Sequence, residues 1–160
     1  MTRIDDLALV GDLHTAALIS VQGVVEWLCL PTFDSPACFA SLLGEPDNGQ
    51  WSLRPADPHA VPERRYIGDS LVLETTWTTQ SGVARVVDFM PTHARTSLVR
   101  IVEGVSGLVA MSSELRLRFD YGHVVPWVRR TSHGIDAVAG PDRVRLSTPI
   151  KCEGRDQATV

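Results

Sequence analysis

The run LVLETTWTTQSGVARVVDFMP, Leu71 to Pro91, decides the fold. In an extended chain Leu71, Leu73, Thr75 and Trp77 fall on one face, and Val72, Glu74, Thr76 and Thr78 on the other. Ser81-Gly82 then turns the chain into a second extended run, Val83 to Met90, which Pro91 closes. β-branched and aromatic residues at a period of two, folded back on themselves, specify an antiparallel pair.

Outward from this pair the same grammar recurs. Thr15 to Ser20 and Val24 to Leu30 flank Val21-Gln22-Gly23, a hairpin link. Leu115, Leu117 and Phe119 alternate with Glu114, Arg116 and Arg118. Val144 and Leu146 alternate with Arg143 and Arg145 after a Gly140-Pro141-Asp142 turn. Pro58, Pro62, Pro91, Pro126 and Pro149 fall near segment ends, where strands tolerate proline. Short strands with such punctuation predict an all-β antiparallel sandwich over residues 1–160, read as a single domain. One short helix is expected near residues 35–43: Ser35 as its cap, Pro36 in its first turn, Phe39, Leu42 and Leu43 as an apolar stripe, Gly44 as its end.

Composition narrows the function classes. Fifteen basic residues against nineteen acidic ones argue against nucleic acid or an anionic membrane as partner. Fourteen of the fifteen are arginines scattered along the chain. No run approaches the roughly 20 apolar residues of a membrane span. The start, MTRIDDLALVGD, places acids where a signal peptide needs an apolar stretch, so a cytoplasmic protein is expected. Cys29, Cys38 and Cys152 are odd in number and lack CxxC spacing, which predicts free, packing cysteines.

Chemistry-bearing motifs are sparse. His14, His59, His93, His123 and His133 lack ligand spacing, so neither a metal nor a cofactor is expected. Nucleophile-elbow, phosphate-loop and dinucleotide patterns are absent from the sequence. Asp12, Glu26, Asp34, Glu74, Asp88, Glu103, Glu114 and Asp120 are dispersed, with nothing marking a catalytic pair. Trp27, Trp51, Trp77 and Trp127 read as core residues at strand positions, with sugar stacking as the alternative. At the corner after Leu30-Pro31, Asp34 has two local readings, shaping a turn or touching a ligand.

Several collinear stretches carry a family resemblance. They are Ile4 to Asp12, Thr15 to Leu18, Gly23 to Pro31, and Phe33 to Pro36 with Phe39 and Leu42-Leu43. Val87 to Pro91, Leu98 to Gly104, Arg118 to Gly122, Pro126-Trp127 and Gly140 to Asp142 follow in order. Together they resemble the amino-terminal domain of glycoside hydrolase family 15, in its bacterial trehalase-like and glucoamylase-like members. Thr32, where relatives often carry Arg, and Val124-Val125, where a second proline is common, depart from the pattern.

The resemblance implies an antiparallel β-supersandwich followed by a helical (α/α)6 barrel, which supplies both catalytic glutamates. By resemblance, then, this chain is a non-catalytic and incomplete amino-terminal sandwich that supports or docks the barrel. An α-glucoside such as trehalose would be its substrate only through that partner. Trp27, Phe33 and Asp34 would be substrate-adjacent, with no catalytic residue in the chain. Strands lost from the sheet edges would favour a homodimer or a strand swap. The alternatives are a free-standing carbohydrate-binding sandwich and a self-associating structural remnant.

Overall fold

A computed structural model describes residues 2–92, 95–155 and 158–159. His93, one of the five histidines weighed above, lies outside the described residues, as do Asp156, Gln157 and Val160 of the terminal stretch. The strands run in chain order as β1 Leu7–Gly11, β2 Ala16–Ser20, β3 Val24–Cys29, β4 Ala37–Phe39 and β5 Gln50–Pro55. Next come β6 Val61–Tyr66, β7 Leu73–Thr79, β8 Gly82–Phe89, β9 Val99–Gly107 and β10 Met111–Arg116. The series closes with β11 Trp127–Thr131, β12 Gly134–Ala139, β13 Asp142–Ser147, β14 Gly154–Arg155 and β15 Ala158–Thr159.

These form three antiparallel sheets. The largest has the order β1-β2-β3-β5-β10-β15-β14, with β4 also paired to β3. A second sheet runs β6-β7-β8-β9 and a third β11-β12-β13. The principal core draws on all three: Ile19 and Leu28 from the first, Leu73 from the second, Ile135 and Ala137 from the third. Each large apolar side chain so buried contributes about 1.5–3 kcal/mol. The all-β sandwich expected from the alternation is the fold observed. No helix among the described residues is long and apolar enough to cross a membrane.

The helix expected near 35–43 is not formed. Ala37–Phe39 is a strand, with Leu28 opposite Phe39 and Cys29 opposite Ala37, and only Ser41–Leu43 makes a single 3-10 turn. Every residue from Ala37 to Ala40 is buried, so the segment has no solvent face for a helix to present. Ser35 caps nothing helical; its hydroxyl accepts the Thr32 N–H at 3.2 Å.

Leu117 to Phe119 also leave the expected ladder. β10 lies against β5, and Arg116 is already opposite Gln50, where β5 begins. With no partner strand left, Arg118 N–H turns to the Cys38 carbonyl at 3.2 Å. The alternation still holds as burial, because Leu117 and Phe119 remain in the core.

The β2–β3 turn locks the sheets together. Gly23 has φ +71°, and a Cβ there would lie 2.6 Å from the Leu53 carbonyl oxygen and 3.2 Å from the Trp77 ring. Only glycine satisfies both the left-handed backbone and the close approach.

Candidate functional site

The Asp34 corner is a compact polar turn on the surface. Phe33 N–H donates to the His14 carbonyl at 2.9 Å, and Ser35 N–H to the Thr32 carbonyl at 3.1 Å. The Thr32 hydroxyl donates to Asp34 Oδ1 at 2.6 Å. That bond, seconded by Asp34's own backbone N–H, holds its carboxyl below the ordinary carboxylate range. Phe33 beside it is 63% exposed.

Trp27, the third residue singled out with them, has other neighbours. It packs on Cys29, Ala37 and Ala40, and its ring lies 6.1 Å from that of Tyr121 at a 38° tilt. Phe33 and Asp34 are thus adjacent on the corner, while Trp27 belongs to an aromatic pair with the Asp120–Gly122 turn. Asp120 and Tyr121 both have positive φ, +50° and +57°. Asn48 Nδ2 steadies this strained turn by donating to the Tyr121 carbonyl at 3.2 Å. Trp27 and the turn both lie in stretches that carry the family resemblance, but nothing in the sequence joins Trp27 to Tyr121 or Asn48 to the turn.

The buried acids are all engaged. Asp12 accepts the backbone N–H groups of His14 and Thr15, each at 2.9 Å. Glu74 binds Arg65 and Arg85, and Arg65 foremost holds its carboxyl below the ordinary range. Asp88 and Arg100 pair at 2.8 Å with side chains 2% and 1% exposed. Arg100 also donates to the carbonyls of Trp51 and Gly23, both at 2.9 Å, and stacks 5.1 Å above the Trp51 ring. One guanidinium therefore joins β8 and β9 to the β2–β3 turn and to β5. Pairing of Asp88 with Arg100 across β8 and β9 was legible in principle, because Ala84, Val86 and Asp88 share the buried parity of β8.

The fourth buried acid, Asp136, lies on the outer face of the third sheet. Arg145 donates to it through Nε at 2.7 Å and Nη2 at 3.2 Å, Arg143 through Nη2 at 2.6 Å, and Arg129 approaches to 3.5 Å. Arg145 first, then Arg143, hold the Asp136 carboxyl far below its ordinary range. The ladder sets Trp127 opposite Val138, and Val138 opposite Arg143, so these side chains share the face. They edge a cleft of about 490 Å³. Trp77 is buried as expected of a strand tryptophan, but Trp127 is 88% exposed.

Two further chemistries can be placed. Burial pushes the Cys38 thiol up to about 12, so it stays protonated and is no nucleophile near neutral pH. Among the described residues, no three His, Cys, Asp or Glu side chains gather in a way that could hold a metal ion.

The chain is thus an all-β scaffold whose buried carboxylates are engaged in internal bonds. The chain belongs to the family described as trehalase-like, N-terminal, which matches residues 1–152. It is 36% identical to a trehalase of Mycolicibacterium smegmatis and 36% identical to one of Mycobacterium tuberculosis. Each of these matches covers 96% of this chain and 27% of the relative. Trehalase 1 of Sulfolobus acidocaldarius is 31% identical, over 92% of this chain and 25% of its own length. The chain thus spans about a quarter of the length of these curated relatives. No solved structure gives a significant match.

Proposed function

We propose that this chain is the non-catalytic amino-terminal β-sandwich of a trehalase-type glycoside hydrolase of family 15, related also to the glucoamylase-like members. Its work is to support and dock the helical catalytic barrel that performs the hydrolysis of an α-linked glucoside. The observation that carries this reading is the collinear match of nearly the whole chain to only a quarter of each trehalase. The engagement of Asp12, Glu74, Asp88 and Asp136 in internal bonds agrees with it. Phe33 and Asp34, exposed on one corner, border the catalytic part in this reading, while Trp27 stands apart from them against Tyr121. The three free cysteines suit a reducing, cytoplasmic setting.

β9 is the edge most suited to receive the rest of such an enzyme. Among the described residues it pairs only with β8, and Ile101, Val102, Val105 and Leu108 stand exposed along and just beyond it. A long apolar edge of this kind invites a further strand. Pairing of two copies along β9, as a homodimer or strand swap, is the competing use of the same edge.

A chimera tests the reading. This chain would replace the matching segment of the Mycolicibacterium smegmatis trehalase, with deletion of that segment as the control. Trehalose hydrolysis by the chimera and loss of soluble, active enzyme on deletion are expected. An active, equally stable deletion variant would sink the scaffold role. So would trehalose cleavage by the 160-residue chain alone that depends on one of its own acids.

The second reading, a free-standing carbohydrate-binding sandwich, is favoured by one observation, the exposed Trp127. Titration with trehalose and maltooligosaccharides, followed by tryptophan fluorescence, separates the two. The scaffold reading expects no saturable change.

A further inference from the structure

The outer face of β11–β12–β13 holds more positive charge than its buried acid requires. Arg145 alone gives Asp136 two hydrogen bonds, one to each oxygen. A single bidentate guanidinium neutralises a carboxylate. Arg143 and Arg129 nevertheless crowd the same oxygen, leaving a local surplus of two positive charges in a chain whose net charge is −4. Among the described residues, Asp136 is the one hydrogen-bond or ion-pair partner of both Arg129 and Arg143. Nε and Nη1 of Arg143 therefore remain available as donors, and Arg129 is 80% exposed. Arginines gathered without matching acids repel one another, so shielding Asp136 explains one of them and not three.

The surplus borders a cleft with flat apolar walls. Trp127, Val138 and Pro141 line it together with Arg129, Asp136 and Arg143, and its volume of about 490 Å³ suits a small molecule. A second copy of this face would bring arginines against arginines, which excludes self-pairing here. The occupant must carry negative charge, and an indole wall favours a ring.

We propose that this cleft binds a small phosphorylated ring compound, its oxyanion held by Arg129 and Arg143 and its ring laid on Trp127. This site is independent of the scaffold reading, because it needs only the third sheet. The phosphate offers bidentate acceptors to the guanidiniums, and the ring excludes water from their outer side. The ring could be a sugar or an aromatic, and the test separates them.

Calorimetric titration of the 160-residue chain at low salt would use glucose 6-phosphate, phenyl phosphate, inorganic phosphate and glucose. At least one ring phosphate should bind about tenfold or more tightly than inorganic phosphate, and glucose should not bind, as loss of a charged hydrogen bond implies. The stronger ring phosphate identifies the ring class. Arg143→Gln should weaken binding by about tenfold, and Arg129→Gln by a smaller factor, in line with charge-assisted bonds. Because Arg129 is mostly exposed, its variant keeps the melting temperature and guards against misreading an unfolded protein. Trp127→Leu should bring the ring phosphate down to the affinity of inorganic phosphate. The proposal fails if neither ring phosphate binds, if inorganic phosphate binds as tightly as both, or if affinity survives Arg129→Gln and Arg143→Gln together.

Discussion

Asp88 and Asp136 are both carboxylates only 2% exposed and both are met by arginine, yet they sit in opposite surroundings. Asp88 has one guanidinium, itself buried, whose remaining donors are taken up by backbone carbonyls of other elements. Asp136 has three, each half exposed or more, all from a single three-stranded sheet. The first arrangement is closed: every group is satisfied by the fold, and its effect is to hold sheets together. The second is open, with donors to spare and solvent at hand. Identical chemistry thus serves cohesion in one place and availability in the other, and burial of the cation is what separates them.

Breaking the closed site should have the largest effect. Arg100→Met leaves the Asp88 charge and two carbonyls without their partner, and should cost roughly 3–5 kcal/mol. The urea midpoint of the variant checks this. A loss below about 1 kcal/mol would mean that water reaches Asp88 and the site is not closed. Arg100→Met combined with Asp88→Leu should recover part of the loss, because no stranded charge remains.

Next in size is the turn that Arg100 grips. Gly23→Ala forces a side chain into a left-handed backbone and against the Leu53 carbonyl, with no flexible neighbour to give way. A loss on the order of 2 kcal/mol is expected by thermal or chemical unfolding. A neutral result would show that the β2–β3 turn can move away from Leu53 and Trp77.

The open site should respond to acid. The folded Asp136 carboxyl lies far below its unfolded value near 4, so its contribution is fully present above about pH 4. That contribution fades as pH falls further, toward the depressed folded value. The stability gap between wild type and Asp136→Asn should therefore be widest near neutral pH and narrow as the acid range is entered. Urea midpoints at about pH 7 and about pH 3 test the sign. A gap that widens with acid would contradict the assignment of Arg145 and Arg143 as the cause. Asp34 and Glu74, also held low, lose their own contributions in the same direction, which is why the difference between variants is the quantity to follow.

How far these sites could be read from sequence differs for physical reasons. Strand alternation exposed the sandwich, because a period of two along Leu73 to Trp77 or Leu115 to Phe119 depends only on neighbouring residues. The segment at Ala37 to Phe39 misled because Pro36 and Gly44 punctuate a short strand and a 3-10 turn as readily as a helix. Its burial on every side is a tertiary fact. Alternation with Val144 and Leu146 puts Arg143 and Arg145 on one strand face, but nothing in the sequence joins them to Asp136. The cluster exists only once β12 is placed between β11 and β13, with Asp136 opposite both Arg129 and Arg145. Trp127 was read as core by its strand position. It stands instead on the outer face of the third sheet, opposite Val138, and is 88% exposed.

The smallest effect is expected at Asp34, which belongs to neither kind of site. Its carboxylate is exposed and serves the Thr32 hydroxyl within its own turn. Asn offers an acceptor oxygen at the same place, so Asp34→Asn should leave the melting temperature within about 2 °C of wild type. Asp34→Ala removes the acceptor and should fall somewhat further, by an amount typical of a lost surface turn contact. Carried into the trehalase chimera, the two variants separate structure from recognition. If the corner only closes a turn, turnover follows melting temperature, and Asn is innocuous. If Asp34 borders the sugar, Asp34→Asn lowers turnover while the melting temperature stays put, since the charge is lost and the turn is kept. A melting point lowered equally by Asn and Ala would instead show that the charge itself, and not the acceptor, holds the corner.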